Sequence, residues 1–561
     1  MSLLSRVTVE NKSLWLAALI SGVLMWLAWP PWPLAFLIFT GFIPLFWIAE
    51  KVTENYSTPV KKGAKYIYAG LFLWNLLTTY WIYNATIFGA GFAILANAFL
   101  MTLPWMVFIW SLKHFGRWPA YPVFIIFWIG LEFLHLNWEL AWPWLNLGNA
   151  FSLFPGWVQW YEYTGALGGT LWVLLINILL YRGYDNFYQL IRGETHPKTL
   201  RVRSWSYASI FAGILLLPLL WSGYLKEQYQ QAEETVSAGV IQPNVDPYEE
   251  KFDEMSVDEQ LSILLNLSRE AADQGAELII WPETALPENV RQDDFETYVS
   301  VRETKAFLEE HPDVDLIIGA TTFEIYETEA EKTPTARNFE NREGWYDVYN
   351  SAIYWDGEDD FQLYHKSRLV PGVERMPYPA YLNFLEPLAL DLGGIVGSMG
   401  TQEAPSSLEI NENIRAAPVI CYESVFGDYT RGFVEDRANL IVIITNDGWW
   451  GDTEGYQQHY HYASLRAIET RRSIARAANT GISGFFNPLG NSLGETPFWQ
   501  KDQMVKEVTL NESFTFYTKH GDYIGRIGFF SGLIYLLGML CMILGKGTKN
   551  NKGVVTYLEI E

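Results

Sequence analysis

Residues 417–423 read Ala-Pro-Val-Ile-Cys-Tyr-Glu, an apolar run that ends in a cysteine and two further polar residues. A short apolar run bounded in this way predicts a buried strand. If a helix begins directly after the strand, Cys421 lies on a tight turn, and the helix N-terminus lowers the pKa of its thiol and favours the nucleophilic thiolate. A lone cysteine is more often a buried structural residue, so the choice between nucleophile and core residue depends on the rest of the chain.

The composition divides the chain into regions of different character. It has 561 residues, too many for one ordinary domain, and half of them are hydrophobic, yet the formal net charge is −24. Apolar residues concentrate in the first 225 positions and near the C-terminus, while acids fill the middle. The acidic balance argues against a nucleic-acid partner, which requires clustered Lys and Arg. We expect Cys421 and Cys541 to be separate thiols, so they do not indicate a compartment.

Eight apolar stretches have about the length that a helix needs to cross a bilayer, roughly 17–25 residues. They lie near 13–29, 33–49, 66–84, 90–112, 119–136, 163–181, 205–223 and 525–545. The first could be taken for a secretory signal, but residues 26–33 offer no small-residue cleavage site and another span follows at once. We therefore expect it to stay attached.

The distribution of Lys and Arg predicts the orientation of these spans. Basic residues occupy every second loop and the C-terminal tail: Lys51, Lys61, Lys62 and Lys65; Lys113 and Arg117; Arg182, Arg192, Lys198, Arg201 and Arg203; and Lys546, Lys549 and Lys552. The alternate loops, 30–32, 85–89 and 137–162, contain neither Lys nor Arg. Because basic loops stay in the cytoplasm, both termini are predicted to be cytoplasmic and the long middle segment to lie on the outer face.

The loop 137–162 is rich in tryptophan and has two interpretations. It forms an interfacial aromatic belt, or it handles lipid beside an active site. Glu132 and His135, near the end of the fifth span, raise a similar choice. Ionisable groups at membrane depth are unfavourable and suggest function, whereas the same groups at the interface need no such explanation.

From about residue 235 to residue 515, short strands alternate with helices. Runs at 236–241, 278–281, 316–318 and 440–444 predict buried strands. Residues 256–274 predict an amphipathic helix that stops at Gly275. This alternation favours an α/β sandwich covered by helices.

Three predicted strands run into chemically useful residues: 278–281 into Glu283, 354–363 through Tyr364 and His365 into Lys366, and 417–420 into Cys421. Each alone has an ordinary explanation, as a solvated acid, a surface lysine or a core cysteine. At the same edge of one sheet they would form an acyl-transfer site. Glu283 would take the proton of the thiol, Cys421 would attack a carbonyl carbon, and Lys366 would stabilise the oxyanion.

Several segments resemble a known family. Trp281-Pro282-Glu283, Tyr364-His365-Lys366 and residues 419–423 are similar to the three signature segments of the nitrilase, or carbon–nitrogen hydrolase, superfamily. Its membrane-bound branch, the apolipoprotein N-acyltransferases, resembles this chain further at 141–148, 241–244, 366–371, 446–452, 457–459 and 466–469. The resemblance implies a multi-pass helical membrane bundle of eight spans with an inserted α/β nitrilase-like αββα sandwich. Seven spans would occupy 1–234, the catalytic domain 235–515, and the eighth span with a cytoplasmic tail 516–561.

By position, the resemblance implies Glu283 as general base, Lys366 as oxyanion stabiliser and Cys421 as nucleophile. Glu374 matches a second acid of the family, and Tyr422 and Glu423 match the residues that shape the pocket after the nucleophile. Two departures concern the turn before Glu374 and the segment after the first strand: residues 371–374 read Pro-Gly-Val-Glu where the family has Pro-Phe-Gly-Glu, and residues 251–252 read Lys-Phe where relatives often have Lys-Trp.

The implied reaction is ping-pong acyl transfer. Cys421 takes a fatty acyl chain from a phospholipid as a thioester, and the α-amine of the lipidated N-terminal cysteine of an apolipoprotein then accepts it, which completes lipoprotein maturation. No cofactor, metal or nucleotide is expected, because the glycine-rich stretch 391–397 lacks the strand–helix context of a dinucleotide loop. The implied location is the bacterial inner membrane, with the catalytic domain on the periplasmic face.

Two other functions stay open from the residues alone. One is a membrane-tethered amidase that uses water as the second nucleophile, and the other is a non-enzymatic membrane scaffold, against which the intact set of three site residues argues. Residues 376–390 are Pro-rich and apolar. They predict either a lid that dips toward the membrane and guides acyl chains, or a loop that packs on the core of its own domain.

Overall fold

A computed structural model of the chain describes residues 11–191, 197–247, 255–339, 341–358, 360–378 and 399–550. Three of the sequence expectations concern residues outside these ranges: the hypothetical lid at 376–390 beyond Tyr378, the turn at 391–397, and Lys251-Phe252.

Apolar helices form the first part of the molecule, and shorter amphipathic helices accompany the strands that follow. The first nine are Asn11–Leu27 (α1), Ile43–Asn55 (α2), Pro59–Thr79 (α3), Ile82–Ala85 (α4), Ile87–Phe115 (α5), Arg117–Asn137 (α6), Tyr161–Thr164 (α7), Ala166–Ile191 (α8) and Pro197–Gln228 (α9). The later helices in the described residues are Val257–Asp273 (α10), Val299–Glu310 (α11), Gly427–Glu435 (α12), Glu454–Thr470 (α13), Phe516–His520 (α14) and Tyr523–Asn550 (α15).

Six helical segments among the described residues are long and apolar enough to cross a membrane. They are Ala35–Asn55, Ile87–Phe115, Arg117–Asn137, Ala166–Gln189, Ser204–Gln228 and Tyr523–Met542. These segments correspond to six of the eight predicted spans. The other two predicted spans fall on α1 and α3. Helix α1 is apolar but only 17 residues long, whereas α3 is long enough, with 21 residues, but not apolar enough.

The described strands form two sheets. The eight strands of the first sheet are Thr235–Gln242 (β1), Leu278–Ile280 (β2), Val290–Arg291 (β3), Asp315–Tyr326 (β4), Arg337–Asn338 (β5), Trp345–Trp355 (β6), Gln362–His365 (β7) and Asp502–Thr509 (β14). The six strands of the second are Leu408–Glu409 (β8), Arg415–Ile420 (β9), Leu440–Thr445 (β10), Ser473–Ala478 (β11), Gly484–Phe486 (β12) and Ser492–Glu495 (β13). The strands predicted at 236–241, 278–281, 316–318, 417–420 and 440–444 are therefore confirmed.

The two sheets pack face to face. The first has the order β14-β1-β2-β4-β6-β5, with β3 beside β4 and β7 beside β6, and the second has the order β13-β12-β11-β10-β9-β8. Buried residues from both inner faces, such as Val240 and Val419, belong to one continuous core. Helices α10 and α11 cover the outer face of the first sheet, while α12 and α13 pack along the second. The strand ends that carry polar residues thus meet between two apolar layers.

Local sequence explains why α10 forms where it was predicted. The side chain of Ser256 accepts a hydrogen bond from the N–H of Glu259, and the Glu259 side chain accepts one from the Ser256 N–H, which is a capping box. Gly275 follows the helix with a φ of 85°, a conformation that favours glycine and ends the helix.

The tryptophan-rich loop 137–162 joins the helical bundle to the sheets. Residues 143–151 are all buried. The indole N–H of Trp144 donates to Oε1 of Gln458 over 2.7 Å, and the hydroxyl of Tyr462 donates to the carbonyl of Trp144 over 2.9 Å. This central part of the loop is therefore neither a lipid-exposed belt nor an exposed lipid-handling surface, because α13 covers it.

Glu132 holds this loop from the membrane side. Its carboxylate accepts hydrogen bonds from the N–H of Leu147 at 2.9 Å, from the Trp128 indole at 2.9 Å and from the Thr170 hydroxyl at 2.5 Å. His135 is also buried. Glu132 thus has a structural role in fixing the joint between bundle and sheets.

Candidate active site

Glu283, Lys366 and Cys421 meet between the two sheets. Glu283 follows β2 and Lys366 follows β7, both in the first sheet, whereas Cys421 follows β9 in the second. The expectation that all three lie at the edge of one sheet is therefore wrong. The strand runs in the sequence are correct, but they do not reveal that the two apolar faces pack against each other and bring separate sheets to a common site.

Lys366 lies between two carboxylates. Its Nζ is 3.0 Å from Oε1 of Glu283 and 2.7 Å from Oε1 of Glu374, and the side chain is 1% exposed. Burial alone would lower the pKa of Lys366, but the charges of Glu283 and Glu374 outweigh it and raise the pKa well above its usual value. The side chain is consequently an ammonium ion at neutral pH.

Two further donors fix the carboxylate of Glu283. The side-chain amide of Asn350, on β6, donates to Oε1 over 2.7 Å, and the backbone N–H of Asn446 donates to Oε2 over 3.1 Å. The turn that carries Glu283 passes very close to β4, where a Cβ on Gly319 would lie 2.0 Å from the carbonyl oxygen of Pro282. Only glycine at position 319 leaves room for the turn that places Glu283 in the site.

Glu374 reaches Lys366 in spite of the altered turn before it. Gly372 adopts a φ of 81° and its N–H donates to the carbonyl of Arg375 over 2.8 Å. The second oxygen of Glu374 accepts a hydrogen bond from the N–H of Val370 over 2.7 Å. The Pro-Gly-Val-Glu sequence therefore still brings the second acid to the site.

Cys421 is the first residue of a short 3-10 helix, Cys421–Val425, and has a φ of 49°. This left-handed conformation is uncommon for a residue with a side chain, so the surroundings must hold it. The residue is buried, with 7% of its surface exposed. Burial, together with the nearby charge of Glu283, raises the pKa of the Cys421 thiol far above its usual value.

The expected lowering of the thiol pKa by a helix N-terminus is therefore wrong. The helix that begins at Cys421 has only five residues, and the longer α12 starts at Gly427. Desolvation of the thiolate outweighs the small dipole of one helical turn. The resting thiol is protonated, so a nucleophilic attack needs a base to remove its proton.

A buried polar network lies behind Cys421. The hydroxyl of Ser424 donates to the carbonyl of Cys421 over 2.7 Å and lies 2.9 Å from Nε2 of His459. Nδ1 of His459 is 2.9 Å from Oδ1 of Asp447, whose other oxygen is 2.5 Å from Arg476. Although burial would raise it, Arg476 and His459 lower the pKa of Asp447 to about 2. This Ser424–His459–Asp447–Arg476 chain holds the left-handed turn.

Glu423 links the turn of Cys421 to the strand of Lys366. One oxygen accepts hydrogen bonds from the N–H groups of Ser367 and Arg368, at 2.7 and 3.1 Å, and from the hydroxyl of Tyr364 at 2.7 Å. The other accepts from the N–H of Ile420 at 2.9 Å. The carboxylate is fully buried, and that burial raises its pKa. Glu423 thus braces the site rather than facing a substrate.

Tyr422 points toward the helical bundle. Its hydroxyl donates to the carbonyl of Ala141, in the tryptophan-rich loop, over 2.9 Å. The residue after the candidate nucleophile is therefore one of the direct contacts between the two parts of the molecule, beside those of Gln458 and Tyr462 with Trp144.

Sequence reasoning assigned no role to Asn350, Ser424, Asp447 or His459. Asn350 gives the clearest signal, because it is a buried amide in the middle of a largely buried strand and needs a polar partner. Within the described part of the chain, no group of three or more His, Cys, Asp or Glu side chains could hold a metal ion.

Comparisons with known proteins agree with this organisation. Residues 21–179 match the apolipoprotein N-acyltransferase N-terminal domain, and residues 237–513 match the carbon–nitrogen hydrolase family. A protein named apolipoprotein N-acyltransferase from Chlorobaculum tepidum is 29% identical over 525 residues, which cover 91% of this chain and 93% of that protein. Another of that name from Geobacter metallireducens is 27% identical over 525 residues, 91% of this chain and 92% of that protein.

Among solved structures, the carbon-nitrogen hydrolase from Helicobacter pylori G27 is similar with a TM-score of 0.35 and 15% identity. The similarity covers 53% of this chain and 98% of that one. The two domains together define a membrane protein with a catalytic domain of the carbon–nitrogen hydrolase class. The chain belongs to the apolipoprotein N-acyltransferase family.

Proposed function

We propose that the protein is a phospholipid:apolipoprotein N-acyltransferase that works by ping-pong transfer through a thioester on Cys421. Glu283 is the general base, Lys366 stabilises the oxyanion, and Glu374 and Glu423 position them. The observation that supports this assignment is the 3.0 Å ion pair between Lys366 and Glu283, which is buried between the sheets and whose charges act on the Cys421 thiol of the facing sheet.

The first half-reaction forms the thioester. Glu283 accepts the proton of the Cys421 thiol as sulfur attacks the ester carbonyl carbon of a phospholipid. The resulting oxyanion is stabilised by the fixed ammonium of Lys366, whose help grows as the negative charge grows. When the intermediate collapses, the carboxyl of Glu283 returns the proton to the departing glycerol oxygen, and a lysophospholipid leaves.

The second half-reaction uses the same groups with an amine as nucleophile. The α-amine of the lipidated N-terminal cysteine of an apolipoprotein attacks the thioester carbonyl, and Glu283 takes a proton from the amine. The new oxyanion again lies beside Lys366. Cleavage of the carbon–sulfur bond leaves an amide on the acceptor, and the thiolate of Cys421 recovers its proton from Glu283.

The proposal also includes the membrane arrangement. Seven spans within 1–234 and an eighth within 516–561 would flank a catalytic domain at 235–515. With the basic loops in the cytoplasm, both termini are cytoplasmic and the catalytic domain faces the periplasm from the bacterial inner membrane. Such a placement brings Cys421 to the side on which Tyr422 contacts the tryptophan-rich loop, near the surface where phospholipid esters lie.

The test is a transfer assay with purified protein in phospholipid-containing micelles and a synthetic diacylated lipopeptide. We expect the lipopeptide to gain one acyl group on its α-amine, as measured by mass spectrometry. Cys421→Ala, Glu283→Gln and Lys366→Met should each abolish detectable transfer. Thermal unfolding of each variant in detergent checks that the fold is retained.

The same assay separates the alternative functions. Release of free fatty acid or of ammonia from amides without lipopeptide acylation would identify a hydrolase of the amidase kind. Absence of any acyl chemistry in folded wild-type protein, on lipid or amide substrates, would indicate a scaffold.

A further inference from the structure

A second polar feature lies beside the candidate active site and is not used by the acyl-transfer chemistry. It is a cavity of about 260 Å³ between the end of α6 and the segment that follows Cys421. Leu136 and Asn137 line it from α6, and Arg368, Phe426, Tyr429 and Arg431 line it from the sheet domain. One water needs only about 10–15 Å³ of such volume, so the cavity has room for a group of several heavy atoms.

Arg368 supplies a cation without an ion pair among the described residues, although three acids line the same cavity. No carboxylate of the described residues lies within 4 Å of its guanidinium, and its Nε is buried without a hydrogen-bond partner there. By contrast, Arg431 is already paired with Asp428 at 2.8 Å and with Glu435. A buried donor without an acceptor is unfavourable, so Arg368 has a donor that a bound anion would satisfy.

Aromatic rings hold the Arg368 side chain in place. Its guanidinium carbon lies 5.0 Å from the ring centre of Tyr429 and 5.7 Å from that of Phe426, within the range of cation–π contacts. Its backbone N–H donates to Glu423, the residue that also holds Ile420. The guanidinium is consequently pre-positioned and coupled to the same brace as Lys366 and Cys421.

The chemistry of the cavity favours a phosphodiester. A guanidinium presents a planar fork of N–H donors that matches phosphate oxygens. The cavity is lined by Leu136 and Asn137 at the end of α6, a helix long and apolar enough to cross a membrane. In the proposed membrane arrangement, that helix end lies at the level of the phospholipid head groups. Three acids, Glu403, Asp428 and Glu435, also line the cavity, and they repel a free phosphate dianion more than the single charge of a lipid phosphodiester.

We propose that the Arg368 cavity binds the phosphodiester of the phospholipid acyl donor, and so orients the ester for attack by Cys421. This inference rests on the proposed function, because it names a subsite for the donor of that reaction. Arg368 acts in it as a specificity residue, since it distinguishes acyl esters that carry a phosphate from those that do not.

The experiment compares two acyl donors on the same protein. Thioester formation on Cys421 is followed by intact-protein mass spectrometry, with a phospholipid in neutral-detergent micelles as one donor and a phosphate-free p-nitrophenyl acyl ester as the other. Arg368→Gln should lower the ratio of kcat/KM for phospholipid to that for the neutral ester about tenfold or more, mainly through KM. Arg368→Lys, which keeps the charge but loses the fork, should fall between wild type and Arg368→Gln.

The control is Arg437→Gln. Arg437 also stacks on an aromatic ring, with its guanidinium carbon 5.7 Å from the ring centre of Phe514, but it does not line the cavity. Its substitution should leave the donor ratio unchanged.

Other outcomes overturn the inference. An equal loss of rate on both donors in Arg368→Gln would give the residue a purely structural role, and equal rates in wild type and Arg368→Gln would remove it from donor binding. If millimolar inorganic phosphate inhibits wild type but not Arg368→Gln while the donor ratio stays constant, the cavity binds a free anion instead. If wild type forms a thioester from the neutral ester only, phospholipid is not the acyl donor, and both the proposed function and the Arg368 subsite are rejected.

Discussion

The Nζ atom of Lys366 lies closer to Glu374 than to Glu283, at 2.7 Å against 3.0 Å. One ammonium ion therefore serves two carboxylates, of which only Glu283 also accepts a hydrogen bond from the backbone of the second sheet, through Asn446. This division of contacts suggests different tasks. Glu374 keeps Lys366 charged and in place, while Glu283 exchanges protons with the sulfur.

Removal of the second carboxylate should slow the chemistry without unfolding the protein. In Glu374→Gln, Lys366 keeps a single anionic partner, pairs more tightly with Glu283 and makes it a weaker base. We expect kcat for thioester formation to fall about 10- to 100-fold, with a smaller change in KM. Stopped-time mass spectrometry of the acyl-enzyme measures this rate. Glu412→Gln, at an exposed position, is the control, and a Glu374→Gln rate equal to that of the control would exclude the proposed role.

The raised pKa of the thiol predicts how Cys421 reacts with alkylating agents. Below its pKa, the thiolate fraction of a cysteine increases about tenfold for each pH unit. Because burial raises the pKa of the Cys421 thiol, the rate of labelling by iodoacetamide in unliganded protein should still be rising between about pH 7 and pH 9. A plateau in that range would mean that Cys421 is a thiolate at neutral pH, and it would support the sequence-based prediction of a lowered thiol pKa. Peptide mass spectrometry separates this rate from labelling of the exposed Cys541.

The polar network behind Cys421 should affect both turnover and stability. Ser424→Ala removes the hydroxyl that donates to the Cys421 carbonyl and leaves His459 without that partner. We expect a loss of about 1–3 kcal/mol in the free energy of unfolding and a lower kcat with little change in KM. In the double variant, adding His459→Asn to Ser424→Ala should lower the free energy of unfolding by less than His459→Asn alone lowers it, because both side chains belong to one network.

His461→Asn provides the comparison, since His461 is two residues away, its ring contacts Tyr460, and among the described residues it makes no hydrogen bond to the network, although it lies near the charge of Arg476. Strict additivity of Ser424→Ala and His459→Asn in unfolding and kcat would show that the two side chains act separately.

The close approach of β4 to the Glu283 turn can be tested with one methyl group. In Gly319→Ala the new Cβ would meet the Pro282 carbonyl at 2.0 Å, so the backbone must move. Overpacking of this kind costs about 1–3 kcal/mol of stability, and a shifted Glu283 should also lower kcat. Gly156→Ala has open space around its Cβ and should change neither quantity. Wild-type stability and turnover in Gly319→Ala would contradict the described geometry.

The sequence was informative where chemistry follows directly from local pattern. The apolar runs before Glu283 and Cys421 correctly predicted strand ends, whereas the strand predicted at 354–363 before Lys366 is divided between the end of β6 and the start of β7. The Ser256-to-Gly275 segment contains both the start and the stop signal of its helix. Capping and strand burial depend on neighbours in sequence, so they can be predicted from one chain.

Features that depend on packing between distant segments could not be predicted in this way. The distribution of the site over two facing sheets depends on which apolar faces meet. Val240 and Val419 both belong to the shared core, but nothing in the sequence around them indicates that their strands pack against each other. The protonated state of Cys421 depends on its burial between the sheets, which outweighs the effect of the short helix on the thiol pKa. The burial of Trp144 depends likewise on α13, more than 300 residues further along the chain.

The most direct test of the central claim is the isolation of the acyl intermediate. Purified protein is incubated with phospholipid, and its intact mass is measured beside that of Cys421→Ser. We predict an acyl adduct on the wild type that maps to Cys421, is removed by neutral hydroxylamine and disappears when a diacylated lipopeptide is added, with the acyl group recovered on the lipopeptide amine. An adduct that is discharged only to free fatty acid, or no adduct from any phospholipid, would contradict transfer through a Cys421 thioester.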